Sequence, residues 1–357
     1  MRTIYYPLMR ELLSALLLFV IVLALTFGSR YSRLYTSEAF NVDRTTVLLL
    51  HERTGLNELY EKLDSLGVEA DREELLWAGS ILGWRNFRSG RYEIRGEESY
   101  DQFLSNMARG IQDPGNVLVH GGIDIPTLSQ RLSRQLRADS LAFAAQFSDT
   151  SAIALELNLT GEDLFARMLP NTYQMYWTST PESVVRRVLR EFNQRIVNGM
   201  ADEIEESQFT LDEIIILASI VDWEARNLEE KPRISGLYIN RLNRNMLLQA
   251  DPTVLYALGE RRRILFEDYR FEHPYNTYLH AGLPPGPITN PHETSIRSVL
   301  YPEEHDYLFM VATPDGSHEF NRTFEEHRRS SENWRIWLRE QYRIKREREE
   351  AGATSSN

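Results

Sequence analysis

The chain contains no cysteine. That absence excludes disulfides, thiolate metal sites, a cysteine nucleophile and a lipid-modified N-terminal cysteine. Basic charge is also in short supply: 40 Lys and Arg stand against 52 Asp and Glu, a formal net charge of −12. A polyphosphate partner needs a basic surface, so no nucleic-acid ligand is expected. The Arg-rich stretch from Arg339 to Arg348 is interleaved with Glu340 and Glu347. It reads as a solvated helix face with i,i+4 pairs. The eight histidines are scattered without close pairs, so no metal site is expected. There is no G-x-S-x-G elbow, no P-loop and no evident internal repeat.

What is present begins with length. At roughly 150 residues per domain, 357 residues suggest two domains, and 42% apolar with 26% charged residues is an ordinary globular balance. Leu12 to Gly28 carries no charge and, at about 1.5 Å per residue, can just cross a hydrocarbon core. Arg2 and Arg10 precede it and Arg30 and Arg33 follow it. Positive charge therefore orients it weakly, with the N-terminus inside. A cleaved signal peptide is the competing reading, but Thr26-Phe27-Gly28 is a poor cleavage site. The expected order is a cytoplasmic N-terminus (1–11), a transmembrane helix (12–28) and a polar stalk (29–44), with the bulk of the chain outside the cytoplasm.

Residues 45–112 read as a small module. Thr45 to Leu50 and Gly90 to Ile94 are strand candidates. Between them, helices are expected over Asn57 to Leu66 and Arg72 to Leu82, and Ser99 can cap another over Tyr100 to Met107. The strand–helix–helix–strand order resembles the LysM fold, a carbohydrate-binding module; a structural spacer fits the pattern equally well. Residues 113–350 read as a larger, mainly helical domain with a few strands. Expected helices include Pro181 to Val197, Leu211 to Arg226, Glu229 to Asn243 and Thr323 to about Glu350, and Tyr307 to Ala312 reads as a buried strand. Residues 351–357 form a polar tail. The fold class is α+β.

The densest chemistry lies between Ile214 and Pro252. An apolar run, IIILASIV, leads directly into Asp222 and Glu224. Such a helix must be buried along most of its circumference, so its last turn presents a carboxyl group at the edge of a core. Apolar walls disfavour the charged carboxylate, which raises its pKa toward what a general acid needs. Two residues apart, the acids point roughly 200° apart around a helix, so only one can face a site. Both could equally mark the solvated end of a buried helix. Gln249 to Thr253, His273 to Tyr278 and Gly282 to Ile288 add hydrogen-bonding and aromatic groups on stiff, proline-rich backbone.

These words resemble the YceG-like family of endolytic murein transglycosylases. The marks are LASIVDWEA where the family has LASIVEKET, then INRL (Ile239 to Leu242), MLLQADPTVLYALG (Met246 to Gly259), PYNTY (Pro274 to Tyr278), GLPPGPI (Gly282 to Ile288) and H-x-F (His318 to Phe320). The family's catalytic glutamate falls on Glu224. The family's EG-x-x-x-PDTY element appears as FARMLPNTY (Phe165 to Tyr173). It keeps Pro170, Thr172 and Tyr173 but lacks the Glu and has Asn171 for Asp.

The resemblance implies a lytic transglycosylase that needs no cofactor. It would cut the β-1,4 bond between N-acetylmuramic acid and N-acetylglucosamine in nascent glycan strands and leave 1,6-anhydro ends, terminating or trimming strand elongation. Its location would be the inner membrane and its partners peptidoglycan synthases. Gln249, Asn276, Tyr278 and Tyr173 are the candidates for substrate contact, or else they hold loop backbone. His318 either lines the cleft or satisfies a core hydrogen bond. Asp251 is the one nearby candidate for the second carboxylate that a retaining hydrolase would use as nucleophile, or else it caps a turn. A hydrolytic muramidase and a non-catalytic peptidoglycan-binding scaffold are the alternatives.

Overall fold

A computed structural model describes residues 5–36, 38–40, 42, 44–225 and 227–354. The chain divides into two compact units, one running to Asn116 and including Gln174–Ser179, the other comprising Val117–Tyr173 and Thr180 onward.

The first unit opens with helix α1 (Tyr5–Tyr31) and a π-helical turn, Ser32–Thr36. The stretch Met9–Thr36 is long and apolar enough to cross a membrane, and none of its apolar window is buried by protein. Strand β1 (Thr46–Leu50) pairs antiparallel with β4 (Gly90–Ile94), with Leu48 opposite Tyr92. Along β1, Leu48 and Leu50 are buried while Val47 and Leu49 are each 38% exposed, the period-two pattern of a strand with one covered face. A short pair, β2 (Thr54–Gly55) with β3 (Asn86–Phe87), lies between them in sequence.

Helices α2 (Leu56–Ser65), α3 (Arg72–Leu82) and α4 (Tyr100–Arg109) cover the strands, burying Leu59, Leu63, Leu75, Phe103 and Leu104 among others. Asp71 and Ser99 cap α3 and α4, and Gly83 and Gly110 end them in the left-handed region, at φ 76° and 78°. Residues 29–44 are not a simple stalk. Leu34, Ala39 and Phe40 belong to the core of this unit, Ala39 bonds to Glu98, and Arg33 lies 4.1 Å over the Trp77 ring while ion-pairing with Glu74. Three scattered apolar residues carry no periodicity, so pattern alone could not reveal their burial. Ser37, Asn41 and Asp43 of that segment lie outside the described residues.

Strands β5 (Gly115–Val119) and β6 (Asn171–Met175) pair, and Val117–Val119 of the one and Asn171–Tyr173 of the other belong to the second unit. Its helices begin with α5 (Ile125–Ser133), α6 (Ser140–Ala144), α7 (Ala152–Leu157) and α8 (Gly161–Ala166). They continue with α9 (Pro181–Phe192), α10 (Ala201–Glu206), α11 (Leu211–Glu224) and α12 (Lys231–Asn243). Next come α13 (Asp251–Leu258) and α14 (Glu293–Leu300). The hairpin β7 (Phe309–Ala312)–β8 (His318–Asn321) and the long α15 (Phe324–Thr354) complete it.

Helix α11 is the centre of this unit. Thr210 and Glu213 form a reciprocal capping box at its start, every residue from Ile214 to Val221 is buried, and α12, α13 and α14 pack around it. Strand β7, expected to be buried, is only half-buried, because a two-stranded hairpin has one partner strand and α15 to cover it.

Candidate active site

Glu224 is the last residue of α11; at Ala225 the backbone turns extended (φ −90°, ψ 109°) and the helix stops. Asp222, two residues earlier, faces a different environment. Its side chain is 3% exposed and meets Lys231 Nζ at 2.9 Å, His292 Nδ1 at 3.0 Å and the Ser295 hydroxyl. Burial alone would raise the Asp222 pKa, but the bond with His292 and the charge of Lys231 outweigh it and hold the carboxyl at about 2. Asp222 is thus a permanent anion in a buried charge cluster. The following loop is pinned to the same helix, since the Ile288 amide donates to Ser219 Oγ at 3.0 Å.

Glu224 opens into a cavity of about 400 Å³. Helix α12 contributes Tyr238 and Arg241, the segment before and into α13 contributes Gln249 and Asp251, and the loop after α13 contributes Tyr269 and Tyr278. The hairpin adds Met310 and His318, and α15 adds His327 and Trp334. Glu224 is only partly reachable by solvent. Desolvation first, and the nearby negative charge of Asp251 second, push its carboxyl up to about 8, against a smaller opposing pull from Arg241. At neutral pH it is therefore an acid holding its proton.

Asp251 is placed otherwise than expected. It sits at the first position of α13 without capping it: that helix has no side-chain cap. The carboxylate instead accepts a hydrogen bond from Tyr278 Oη at 2.6 Å. Burial holds its carboxyl above the ordinary aspartate value, against a smaller opposing pull from the Tyr278 and Tyr269 hydroxyls. Because both phenols donate to it, Asp251 is the member of the pair better able to stay charged.

Gln249 and Tyr278, expected to contact substrate, do line the cavity, as does His318. Gln249 adopts φ 49°, an uncommon conformation for a residue with a Cβ. It is held by its own amide donating to the Thr277 carbonyl at 3.1 Å and by Arg241 reaching its side-chain oxygen at 3.4 Å. His318 donates both its backbone N–H (2.8 Å) and its Nδ1–H (3.1 Å) to Glu230, which leaves Nε2 as its free ring nitrogen.

Asn276 and Tyr173 are not brought into the cavity. Asn276 is 0% exposed. Its Nδ2 donates to the carbonyls of Tyr269 (3.2 Å) and Phe271 (2.8 Å), and its Oδ1 accepts from the Tyr278 amide (3.0 Å). It braces the loop that carries the two tyrosines. Tyr173, 2% exposed on β6, donates to the Leu169 carbonyl at 2.7 Å and lies under Arg187.

Sequence reasoning overlooked Arg241, Tyr269, His327 and Trp334 as cleft residues. A signal existed for Arg241 alone. It stands three residues after Tyr238 on one face of α12, where its guanidinium donates to the carbonyls of Leu308 (2.6 Å) and Leu248 (2.9 Å). Among the described residues, no group of three or more His, Asp or Glu side chains is arranged to hold a metal ion.

A protonated carboxyl in a cleft walled by phenols, an amide, two imidazoles and an indole is chemically able to give up a proton to a bound ligand, and it lies in a mostly helical unit. The YceG-like family model matches residues 48–333, and the chain belongs to the YceG-like family. Similar proteins include an endolytic murein transglycosylase of Bacillus subtilis (strain 168), 32% identical over 169 residues, which are 47% of this chain and 47% of that protein. Another is an endolytic murein transglycosylase of Streptococcus pneumoniae serotype 2 (strain D39), 26% identical over 311 residues, covering 78% of this chain and 56% of that protein. The chain thus spans about half the length of the curated relatives it matches. The crystal structure of a putative YceG-like protein from Listeria monocytogenes superposes with a TM-score of 0.58 at 24% identity, over 81% of this chain and 99% of that one, which shows a shared fold.

Proposed function

We propose that this chain is a membrane-anchored endolytic lytic transglycosylase of peptidoglycan. The observation that carries the reading is Glu224, an acid whose surroundings keep it protonated near neutral pH, in a cleft with groups suited to sugars. The printed names of the relatives point the same way. Glu224 donates its proton to the glycosidic oxygen between N-acetylmuramic acid and N-acetylglucosamine, and that bond breaks. The oxocarbenium-like centre is captured by the C6 hydroxyl of the same sugar. The hydroxyl proton passes to the Glu224 carboxylate, which restores the acid and leaves a 1,6-anhydro end.

Charged Asp251, held by Tyr278, raises Glu224's affinity for its proton and faces the developing positive charge. Gln249 and His318 are placed to bind N-acetyl and hydroxyl groups, and Asn276 acts by holding Tyr278. The first unit, in which α2 and α3 lie between the paired strands β1 and β4, is the LysM-like glycan-binding module of this reading. Helix α1 anchors it in the inner membrane with the bulk of the chain outside the cytoplasm. The substrate would be nascent strands, cut beside their synthases to terminate elongation.

A second reading has one observation in its favour. Asp251 shares the Glu224 cavity, and a retaining hydrolase needs two carboxyls flanking the scissile bond. Mass spectrometry of muropeptides released from purified sacculi by the full chain in detergent separates the two. Anhydro ends are expected; reducing ends throughout would replace the transglycosylase with a hydrolase, and no release would leave a scaffold.

A further inference from the structure

Trp334 stands one residue past the family-matched segment 48–333, yet it shares a cavity with Glu224. Helix α15 is seated on the hairpin before it reaches this point. His327 stacks on Phe309 with ring centroids 5.1 Å apart, and Ser330 Oγ donates to Glu319 at 2.8 Å. Residues 327, 330 and 334 follow one another at helical i+3 and i+4 spacing. Seating the first two against the hairpin therefore turns the third into the cleft.

The Trp334 ring is held from one side by Trp337, at 4.8 Å between centroids and 18° between planes. Its indole N–H has no hydrogen-bond acceptor among the described residues. Trp334 is thus a braced, partly exposed indole that offers flat aromatic surface to a cleft whose other walls mix polar groups with Leu237, Leu248 and Met310. The other walls offer Gln249, Asp251, Tyr278 and His318, which are acceptors and donors at a ring's edge. An apolar face flanked by edge-on hydrogen-bonding groups matches a pyranose ring, whose C–H face is apolar and whose rim carries hydroxyl and acetamido groups. A nucleotide's base would also stack, but its phosphates would meet the negative charge of Asp251.

We infer that Trp334 is the floor of a hexose subsite in the Glu224 cleft, on which an N-acetylated sugar ring of the strand stacks. This rests on the transglycosylase reading for the identity of the strand, though not for the stacking itself. In this arrangement α15 is a wall of the binding cleft as well as a C-terminal brace. Trp334 binds and positions substrate and takes no part in proton transfer.

The test uses the full chain in detergent with Glu224→Gln, so that ligand binds without turnover, and the β-1,4-linked tetrasaccharide of N-acetylglucosamine as probe. Titration should shift tryptophan emission, and adding Trp334→Phe should remove most of that shift. Calorimetry should show Kd weakened several-fold by Trp334→Phe and about tenfold by Trp334→Ala, the loss expected for one uncovered ring face. With Glu224 restored, Trp334→Phe should raise KM on glycan strands while kcat stays within about twofold, the mark of uniform binding. If Trp334→Ala does not fold, Trp334→Phe decides the matter alone.

Equal Kd and KM for wild type and Trp334→Phe would overturn the subsite, and would do so even if anhydro products show the transglycosylase reading to be right. A Trp334-dependent emission shift in a protein that releases no anhydro ends would uphold the subsite and overturn that reading. Absence of any tetrasaccharide binding overturns the subsite.

Discussion

Replacing Glu224 by Gln should change stability in a way that depends on pH, and the sign follows from the site. In the unfolded chain the carboxyl titrates near its ordinary value of 4.5; in the fold it titrates at about 8. Below pH 4.5 both states hold the proton and this group exerts no pH dependence. Between 4.5 and 8 the folded state holds more protons than the unfolded state, so stability falls as pH rises; above 8 the loss is complete.

A gap of 3.5 units (8 − 4.5) corresponds to at most ~5 kcal/mol at about 1.36 kcal/mol per unit. Water enters the cleft, so about 2–3 kcal/mol is the realistic loss. Glutamine has no proton to lose, so the variant should lack this slope. Thermal unfolding of the full chain should show Glu224→Gln gaining roughly 5–10 °C on wild type between pH 5 and pH 8.5, at about 2–4 °C per kcal/mol. The same variant should lose about 10²–10⁴ in rate on sacculi. Parallel pH dependences of unfolding in the two proteins would refute the argument that this carboxyl holds a displaced proton. Full activity of the variant would refute its role as the acid.

Asp222→Asn should be costly for a different reason: it strands the Lys231 ammonium, whose side chain is 4% exposed, at about 3–5 kcal/mol. Denaturant titration reads this loss, while activity per folded molecule should largely survive. Asp251→Asn removes a negative charge beside Glu224, so the basic limb of the pH–rate profile should move to lower pH, with anhydro ends persisting; reducing ends lost together with turnover would identify a covalent nucleophile instead. Asn276→Ala removes three hydrogen bonds and should cost roughly 2–4 kcal/mol, with a fall in kcat as Tyr278 loses its brace. Helix α1 should keep the full chain in the membrane fraction through carbonate washing, and a mature chain beginning near Ser29 would show cleavage in its place.

Local chemistry wrote much of the architecture openly. Gly90 to Ile94 alternates, Arg72 to Leu82 has a capping Asp before it and a Gly after it, and both elements occur with the bounds their patterns predict. Helix α11 was legible because eight consecutive buried positions require an unbroken apolar run. The short elements were not: β2, β3, α7, α8 and α10 have two to six residues each, too few to show a period. Neither was the burial of Leu34, Ala39 and Phe40, which depends on partners far along the chain.

The site divides the same way. By itself the sequence determined that a carboxyl would end a buried apolar helix, and family words singled out Glu224, because both facts are local strings. Tertiary structure alone decided what surrounds that carboxyl. It sent Asp222 into a cluster with Lys231, His292 and Ser295, turned Asp251 from an expected cap into a charged neighbour held by Tyr278, withdrew Asn276 and Tyr173 from the cleft, and brought Trp334 from the C-terminal helix into it. A proton affinity and a binding surface are sums over neighbours in space. Those neighbours are gathered from separate segments scattered between Asp222 and Trp334, and no spacing along the chain encodes them.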